Sequence, residues 1–209
     1  GVIILAVISS LIAAGGAAVE NDIKRILAYS TISQIGYIFL GLSVANPTAV
    51  SGSLLYILMH GLAKAGLFLC AGIVIHSTNK RDIREMGGLI KTMPITAISF
   101  LICAFSVIGL PPLGGFFSKL LVIMGTIQAN QIWIAALALF TAILTMYYLM
   151  RVFAQVFLGD LKIPAPEKTP SMVGVVTVLA LFSVLAGFFV SYPMKLVQLA
   201  TTHITWWLR

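Results

Sequence analysis

The chain has 209 residues, of which 60% are hydrophobic and only 9% charged, whereas soluble domains carry roughly 25% charged residues. This composition excludes an ordinary soluble domain and leaves room for about six membrane spans of ~20 residues each. The 13 basic and 6 acidic residues give a net charge of +7. In a membrane protein such an excess reports on topology, because basic residues collect in cytoplasmic loops. We therefore expect lipid, and no nucleic acid, as a partner.

Six apolar runs are each long enough to cross ~30 Å of hydrocarbon. They cover residues 2–19, 26–45, 51–76, 94–125, 131–158 and 171–192. The sequence thus predicts an all-α, polytopic membrane protein with about six transmembrane helices.

The connections between these runs are alternately charged and uncharged. The charged ones are residues 20–25, 77–92 and 159–170, and the uncharged ones are 46–50 and 126–130. Most basic residues lie in the charged connections, and Arg151 lies near the end of the fifth run. The positive-inside rule then places the charged connections in the cytoplasm and both termini outside, in a cell (inner) membrane.

The fourth run is too long for one regular span. Its 32 residues would extend about 48 Å at 1.5 Å per residue. Inside it lie the helix-breaking residues Gly109, Pro111, Pro112, Gly114 and Gly115. The sequence predicts a discontinuous helix and, because unpaired backbone groups at membrane depth need protein or water, a hydrated cavity beside it.

The segment from Pro193 to Arg209 has apolar residues on one side and polar residues on another, with Trp206 and Trp207 near its end. Its apolar side carries Leu196, Leu199 and Ala200, and its polar side Lys195, Gln198 and Thr202. This pattern favours an interfacial amphipathic helix. The alternative is that the sixth helix continues, with a kink at Pro193.

A polar stripe runs through the third span. Ser53, Tyr56, His60 and Lys64 are spaced by three, four and four residues, which places them on one helix face. Lys64 lies too deep to reach either surface, and a charge at that depth costs about 2.5–3.5 kcal/mol. We interpret Lys64 as a proton-transfer residue and His60 as a relay, the alternative for His60 being a hydrogen bond to a neighbouring helix.

Lys119, after the break in the fourth run, is the second intramembrane lysine. We interpret it as a proton-transfer residue too, although its position about six residues from the end of the run also allows it to reach the surface. Polar residues on several spans could line a shared path or could simply hold helices together. The path-lining candidates are Ser33, Gln34, Tyr37, Ser53, Tyr56, Ser106, Thr141 and Thr145, and Ser30 and Tyr148 are further polar residues of these spans.

No nucleotide-binding, iron–sulfur or metalloprotease motif occurs in the sequence. Cys70 and Cys103 show no ligand-like spacing. We therefore expect no metal site and no cofactor on this chain. Any iron–sulfur or quinone chemistry would belong to partner subunits.

Three ordered motifs carry a family resemblance: DIKRILAYSTISQIGY at 22–37, HGLAKAGLF at 60–68 and GLPPLGGFFSK at 109–119. They resemble the antiporter-like proton-conducting subunits of respiratory complex I, energy-converting membrane-bound hydrogenases and Mrp-type sodium/proton antiporters. Within that family they look closest to the hydrogenase and Mrp branches.

The resemblance implies a fold of about fourteen helices with two inverted five-helix repeats. The six spans resemble the second repeat plus a terminal helix: a half-channel repeat over 1–158, a charged connection over 159–170, and a terminal helix with an interfacial segment over 171–209. By resemblance, Lys64 and His60 match the family's central hydrophilic axis. Lys119 matches the terminal lysine or glutamate of the second discontinuous helix.

The family's first repeat has no counterpart in this sequence. The resemblance therefore implies either a subunit split between polypeptides or part of a longer protein. Three functions stay open. The first is a proton-translocating subunit of a larger energy-converting complex, with other antiporter-like and small membrane subunits as partners. The second is an Mrp-type sodium/proton antiporter subunit without redox coupling, and the third is a structural subunit without its own proton path.

Overall fold

The computed structural model describes residues 1–204 and is all-helical over that range, as predicted. Five helices are long and apolar enough to cross a membrane, and two shorter apolar helices, α4 and α5, follow one another. The helices are α1 (Val2–Val19), α2 (Ile23–Ser43), α3 (Pro47–Thr78), α4 (Pro94–Ile108), α5 (Gly114–Gln128), α6 (Ile132–Phe157), α7 (Pro170–Phe188) and α8 (Ser191–Ile204).

The predicted discontinuous helix is confirmed as α4 followed by α5. Gly109 ends α4 with a φ of 90°, a left-handed conformation that glycine adopts without a Cβ penalty. At 15 residues each, the two helices are about 22 Å long and cross the membrane only together. Gly115 packs directly on the Ser106 carbonyl, so the two half-helices are in backbone contact.

The three charged connections meet at one end of the bundle. The Ile83 N–H donates to the Asn21 carbonyl at 2.9 Å and the Ile23 N–H to the Arg81 carbonyl at 3.0 Å, which joins the first two connections. The Lys162 N–H donates to the Gly87 carbonyl at 3.4 Å and joins the third. The alternation of charged and uncharged connections in the sequence therefore places the charged connections together at one end of the molecule.

The C-terminal segment forms helix α8, which packs against α3. Helix α7 ends beside the α4–α5 break, where Gly187 packs on Leu113. Helix α8 then runs antiparallel along the first part of α3, with the Ser51 and Thr201 hydroxyls 3.0 Å apart. The interruption lies before Ser191 rather than at Pro193, and the interfacial position of this segment stays a prediction.

The buried face of α8 also differs from the predicted apolar side. Val197 and Thr201 are buried, whereas Leu196 and Leu199 are more than 60% exposed. Val197 and Thr201 are the residues that α8 packs towards α3, whereas Leu196 and Leu199 face outward. Trp206 and Trp207 lie outside the described residues.

Two apolar clusters fill the bundle, one at each end. The cluster at the charged end includes Leu27, Leu67 and Val152. The cluster at the opposite end includes Leu40, Leu55 and Ala138. Between these clusters, α2, α3 and α6 carry buried polar residues, and α5 adds Lys119 beside the helix break. We call this set the polar layer: Ser30, Gln34, Tyr37, Tyr56, His60, Lys64, Lys119, Thr145 and Tyr148.

Candidate functional site

All three residues interpreted as proton carriers lie in this polar layer. The exposed fractions of His60, Lys64 and Lys119 are 7%, 5% and 4%. The three side chains therefore face the interior of the bundle and not lipid. Such burial of ionisable groups is costly and is typical of functional positions in membrane proteins.

Lys119 points back from α5 to the end of α4. Its Nζ donates to the Ile108 carbonyl at 3.4 Å and lies 5.3 Å and 5.4 Å from the ring centroids of Tyr37 and Tyr56. Cation–π attraction favours an ammonium at such distances. The alternative that Lys119 reaches the membrane surface is therefore wrong, because the side chain turns inward over the helix break.

Lys64 is held by α2. Its Nζ donates to the Leu27 carbonyl at 3.0 Å and to the Ser30 hydroxyl, and it lies 6.0 Å from the Phe68 ring centroid. Ser30 belongs to the polar residues noted on the second span, but nothing in its spacing identified it as the partner of Lys64. That pairing depends on how α2 and α3 pack.

His60 lies one helical turn from both Tyr56 and Lys64. Its ring centroid is 5.6 Å from that of Tyr56. Within residues 1–204, neither ring nitrogen has a hydrogen-bond partner. The alternative role of bonding a neighbouring helix is therefore not what this geometry shows, and both nitrogens remain available to exchange protons.

A hydrogen-bond network joins α2, α3 and α6 beside the lysines. The Tyr56 hydroxyl donates to Gln34 Oε1 at 2.5 Å and lies 3.3 Å from the Val107 carbonyl. Gln34 Nε2 donates to the Thr145 hydroxyl at 3.0 Å, and the Tyr148 hydroxyl donates to the same oxygen at 3.3 Å. Four predicted lining residues (Gln34, Tyr37, Tyr56 and Thr145) thus lie next to the lysines or to each other.

The other predicted lining residues occupy different surroundings. Ser33 faces α1, where its carbonyl accepts a 2.8 Å hydrogen bond from Ser10. Thr141 donates to the Leu137 carbonyl of its own helix at 2.9 Å. Ser106 is buried at the break between the half-helices, and Ser53 is buried against Gly41.

Charged residues at the end of the bundle hold the connections in place. Arg151 donates to the Ala18 and Glu20 carbonyls at 2.7 Å and 2.9 Å and to Asn21 Oδ1 at 2.5 Å. Asp82 forms a two-pronged ion pair with Arg84, and this hydrogen bonding lowers the pKa of Asp82 to about 2. Part of the net positive charge therefore has a structural role at this end.

Comparison with known proteins identifies relatives of this arrangement. The family described as "NADH:quinone oxidoreductase/Mrp antiporter, TM" matches residues 1–145. A subunit of the Na(+)/H(+) antiporter of Alkalihalophilus pseudofirmus is 41% identical over 161 residues, which are 77% of this chain and 33% of that protein. A subunit of the NADH-quinone oxidoreductase of Desulforudis audaxviator is 41% identical over 145 residues, 69% of this chain and 29% of that protein.

Solved structures have the same fold. A chain of the Mrp complex from Dietzia sp. superimposes with a TM-score of 0.92 at 25% identity, over 97% of this chain and 46% of that one. A chain of respiratory complex I from Thermus thermophilus gives 0.88 at 28% identity, over 98% and 44%. This chain thus spans about a third of the curated relatives and less than half of the structural ones. It belongs to the antiporter-like membrane subunits of the NADH:quinone oxidoreductase/Mrp antiporter family.

Proposed function

We propose that this chain forms a proton half-channel in an antiporter-like membrane subunit of a larger energy-converting complex. The observation that carries the proposal is the burial of Lys64, His60 and Lys119 in one polar layer beside the α4–α5 break. Family membership supports the same function. The activity of the whole protein belongs to the proposal, because the chain covers only part of its relatives.

In this proposal Lys64 and Lys119 bind and release protons, and His60 passes protons between them or to bound water. Two ammonium groups in a medium of low dielectric constant repel each other, so protonation of one favours proton release from the other. The residues Gly109, Pro111, Pro112, Gly114 and Gly115 form the break that brings Lys119 against the Ile108 carbonyl.

The proposed partners are other antiporter-like and small membrane subunits, together with lipid. The structural relatives come from multi-subunit membrane complexes, which supports a hetero-oligomeric setting. We place the charged connections on the cytoplasmic side of the inner membrane, and we assign iron–sulfur or quinone chemistry to partner subunits. Residues 1–158 form the half-channel repeat, 159–170 the connection and 171–209 the terminal part.

A second candidate is an Mrp-type antiporter subunit that exchanges sodium for protons without redox coupling. The 41% identity to the Na(+)/H(+) antiporter protein of Alkalihalophilus pseudofirmus supports it, and the equal identity to the NADH-quinone oxidoreductase protein of Desulforudis audaxviator supports the redox-driven complex. Proton movement that depends on sodium and needs no electron donor would support this candidate. Proton movement that requires an electron donor would support the redox-driven complex.

The decisive test replaces Lys64 by Met in the full protein within its native membrane. We expect driven proton translocation to be abolished while the complex still assembles, because Met has a similar length but cannot bind a proton. Lys24→Met, at an exposed position in the first turn of α2, is the matched control and should translocate normally. If Lys64→Met translocates protons at the wild-type rate, the proposal fails, and a wild-type rate in Lys119→Met as well would identify the chain as a structural subunit.

A further inference from the structure

A cavity of about 370 Å³ lies at the charged end of the bundle, between the end of α6 and the second and third charged connections. We call it the end cavity. Its volume falls within the range of about 300–1,000 Å³ that is typical of small-molecule sites. Charged, amide and apolar side chains line it, and none of them belongs to the polar layer. The end cavity is therefore a separate feature from the candidate proton path.

Two basic residues and one acidic residue line the end cavity. The Arg84 guanidinium is already paired with Asp82, whereas the Lys162 Nζ donates to the uncharged Arg84 carbonyl at 2.8 Å. Since an ammonium has three donors, Lys162 can bind an anion in addition to this carbonyl. The Asp160 carboxylate accepts hydrogen bonds and disfavours a second negative charge. These charges suit a singly charged anion that also carries hydroxyl groups.

Gln155 of α6 adds an amide to the same wall. Its Oε1 is buried and has no hydrogen-bond partner within residues 1–204. A buried acceptor without a partner is unfavourable. A hydroxyl group bound in the end cavity would remove this cost once the amide has turned towards it.

The apolar part of the end cavity continues along the outer face of α6. Ala154 and Leu158 line the cavity, and Tyr147 and Ile143 follow on the same exposed face, seven and eleven residues before Ala154. The eleven residues from Leu158 back to Tyr147 span about 16 Å. This is about half of the ~30 Å thickness of the hydrocarbon core. An acyl chain of one leaflet therefore fits along this face with its headgroup at the cavity.

We propose that the end cavity binds the headgroup of an anionic phospholipid of the phosphatidylglycerol class, whose acyl chain lies along the outer face of α6. In this site Lys162 donates to the phosphodiester group, and Gln155 and Asp160 accept hydrogen bonds from headgroup hydroxyls. A free phosphate ion or an acidic peptide would satisfy Lys162 but has no acyl chain to cover the apolar face. The inference does not rest on the proposed proton-conducting function.

The test uses the full purified complex, delipidated in a zwitterionic detergent and titrated with phosphatidylglycerol, while native mass spectrometry counts the bound lipid molecules. Lys162→Met should raise the apparent Kd for one lipid per copy of this chain by about tenfold, because it removes a hydrogen bond to a charged group. Lys168→Met, at an exposed position of the same connection but outside the cavity, is the matched control. It removes the same charge from the same surface and should leave this Kd within about twofold of the wild-type value.

Gln155→Leu distinguishes a specific site from a general attraction of anionic lipid to a basic surface, because it changes no charge. It should raise the same Kd by about fivefold, the effect of one neutral hydrogen bond. Gln128→Leu, at an exposed position at the opposite end of the bundle, is its control and should have no effect. Phosphatidylcholine, whose headgroup has no net charge and no hydroxyl group, should not displace the bound lipid.

A wild-type Kd in Gln155→Leu would overturn the proposal, and so would equal effects of Lys162→Met and Lys168→Met. Displacement of the lipid by inorganic phosphate at equal concentration would assign the cavity to a free anion and would equally reject the lipid site. If Lys162→Met does not assemble, the titration of Gln155→Leu decides alone. That variant removes a buried acceptor without a partner, so we expect it to fold.

Discussion

The contact between the two half-helices is the most sensitive packing site of the fold. An alanine Cβ at Gly115 would lie 2.9 Å from the carbonyl carbon of Ser106 and still closer to its oxygen. Non-bonded carbon atoms prefer separations of about 3.5–4.0 Å. Since the obstacle is backbone and cannot rotate away, α4 and α5 must separate by more than about 1 Å. Overpacking typically costs 1–3 kcal/mol, and we expect Gly115→Ala to lie near 3 kcal/mol.

The same separation affects the candidate site. Lys119 lies one turn beyond Gly115 on α5, and its Nζ is already 3.4 Å from the Ile108 carbonyl of α4. A further 1 Å would break this hydrogen bond. We therefore expect Gly115→Ala to reduce both the thermal stability of the complex and its proton translocation.

The assay is thermal unfolding of the purified complex in mild detergent. Gly61→Ala is the matched control, because no heavy atom lies within 4 Å of a Cβ at Gly61 and alanine is favoured over glycine in a helix by up to about 1 kcal/mol. The two substitutions should thus shift the unfolding temperature in opposite directions. An unfolding temperature for Gly115→Ala at or above that of Gly61→Ala would refute the reasoning.

Two further predictions concern the charged end of the bundle. Arg151→Met should lower the free energy of unfolding by about 1.5–3 kcal/mol, the usual contribution of a hydrogen bond to a charged group; denaturation compared with Arg81→Met, at an exposed position, measures it. Hydrogen bonds from Arg84 hold the pKa of Asp82 at about 2, below the unfolded value, so its stabilisation is complete above pH ~4 and is lost as the pH falls towards 2. Unfolding of Asp82→Asn should depend less on pH in that window, and an identical pH dependence would contradict the assignment.

The spans could be predicted from the sequence because membrane insertion depends on local composition. The run 2–19 coincides with α1, and the run 94–125 splits at the glycines and prolines that break it. The stripe on α3 follows from helical periodicity, and Tyr56, His60 and Lys64 are all buried as that stripe requires. In these cases the residues of a single helix are sufficient to predict its extent or its buried face.

Contacts between helices could not be predicted in this way. Ser30 binds Lys64, and Ser33, one turn further along α2, faces α1 instead. The local sequence of α2 does not indicate which of these two serines binds the lysine. That difference depends on how α2 crosses α1 and α3. The sequence left two directions open for Lys119 for the same reason, since its direction depends on the position of α4.

The placement of the polar layer limits how protons can reach it. Apolar clusters lie at both ends of the described bundle, around Leu67 and Val152 on one side and Leu40 and Leu55 on the other. A proton carrier in the middle reaches a membrane surface past these apolar side chains if helices move, or by a path that continues sideways into another part of the assembly. The helix break offers the first route, because Lys119 is anchored across it by one long hydrogen bond.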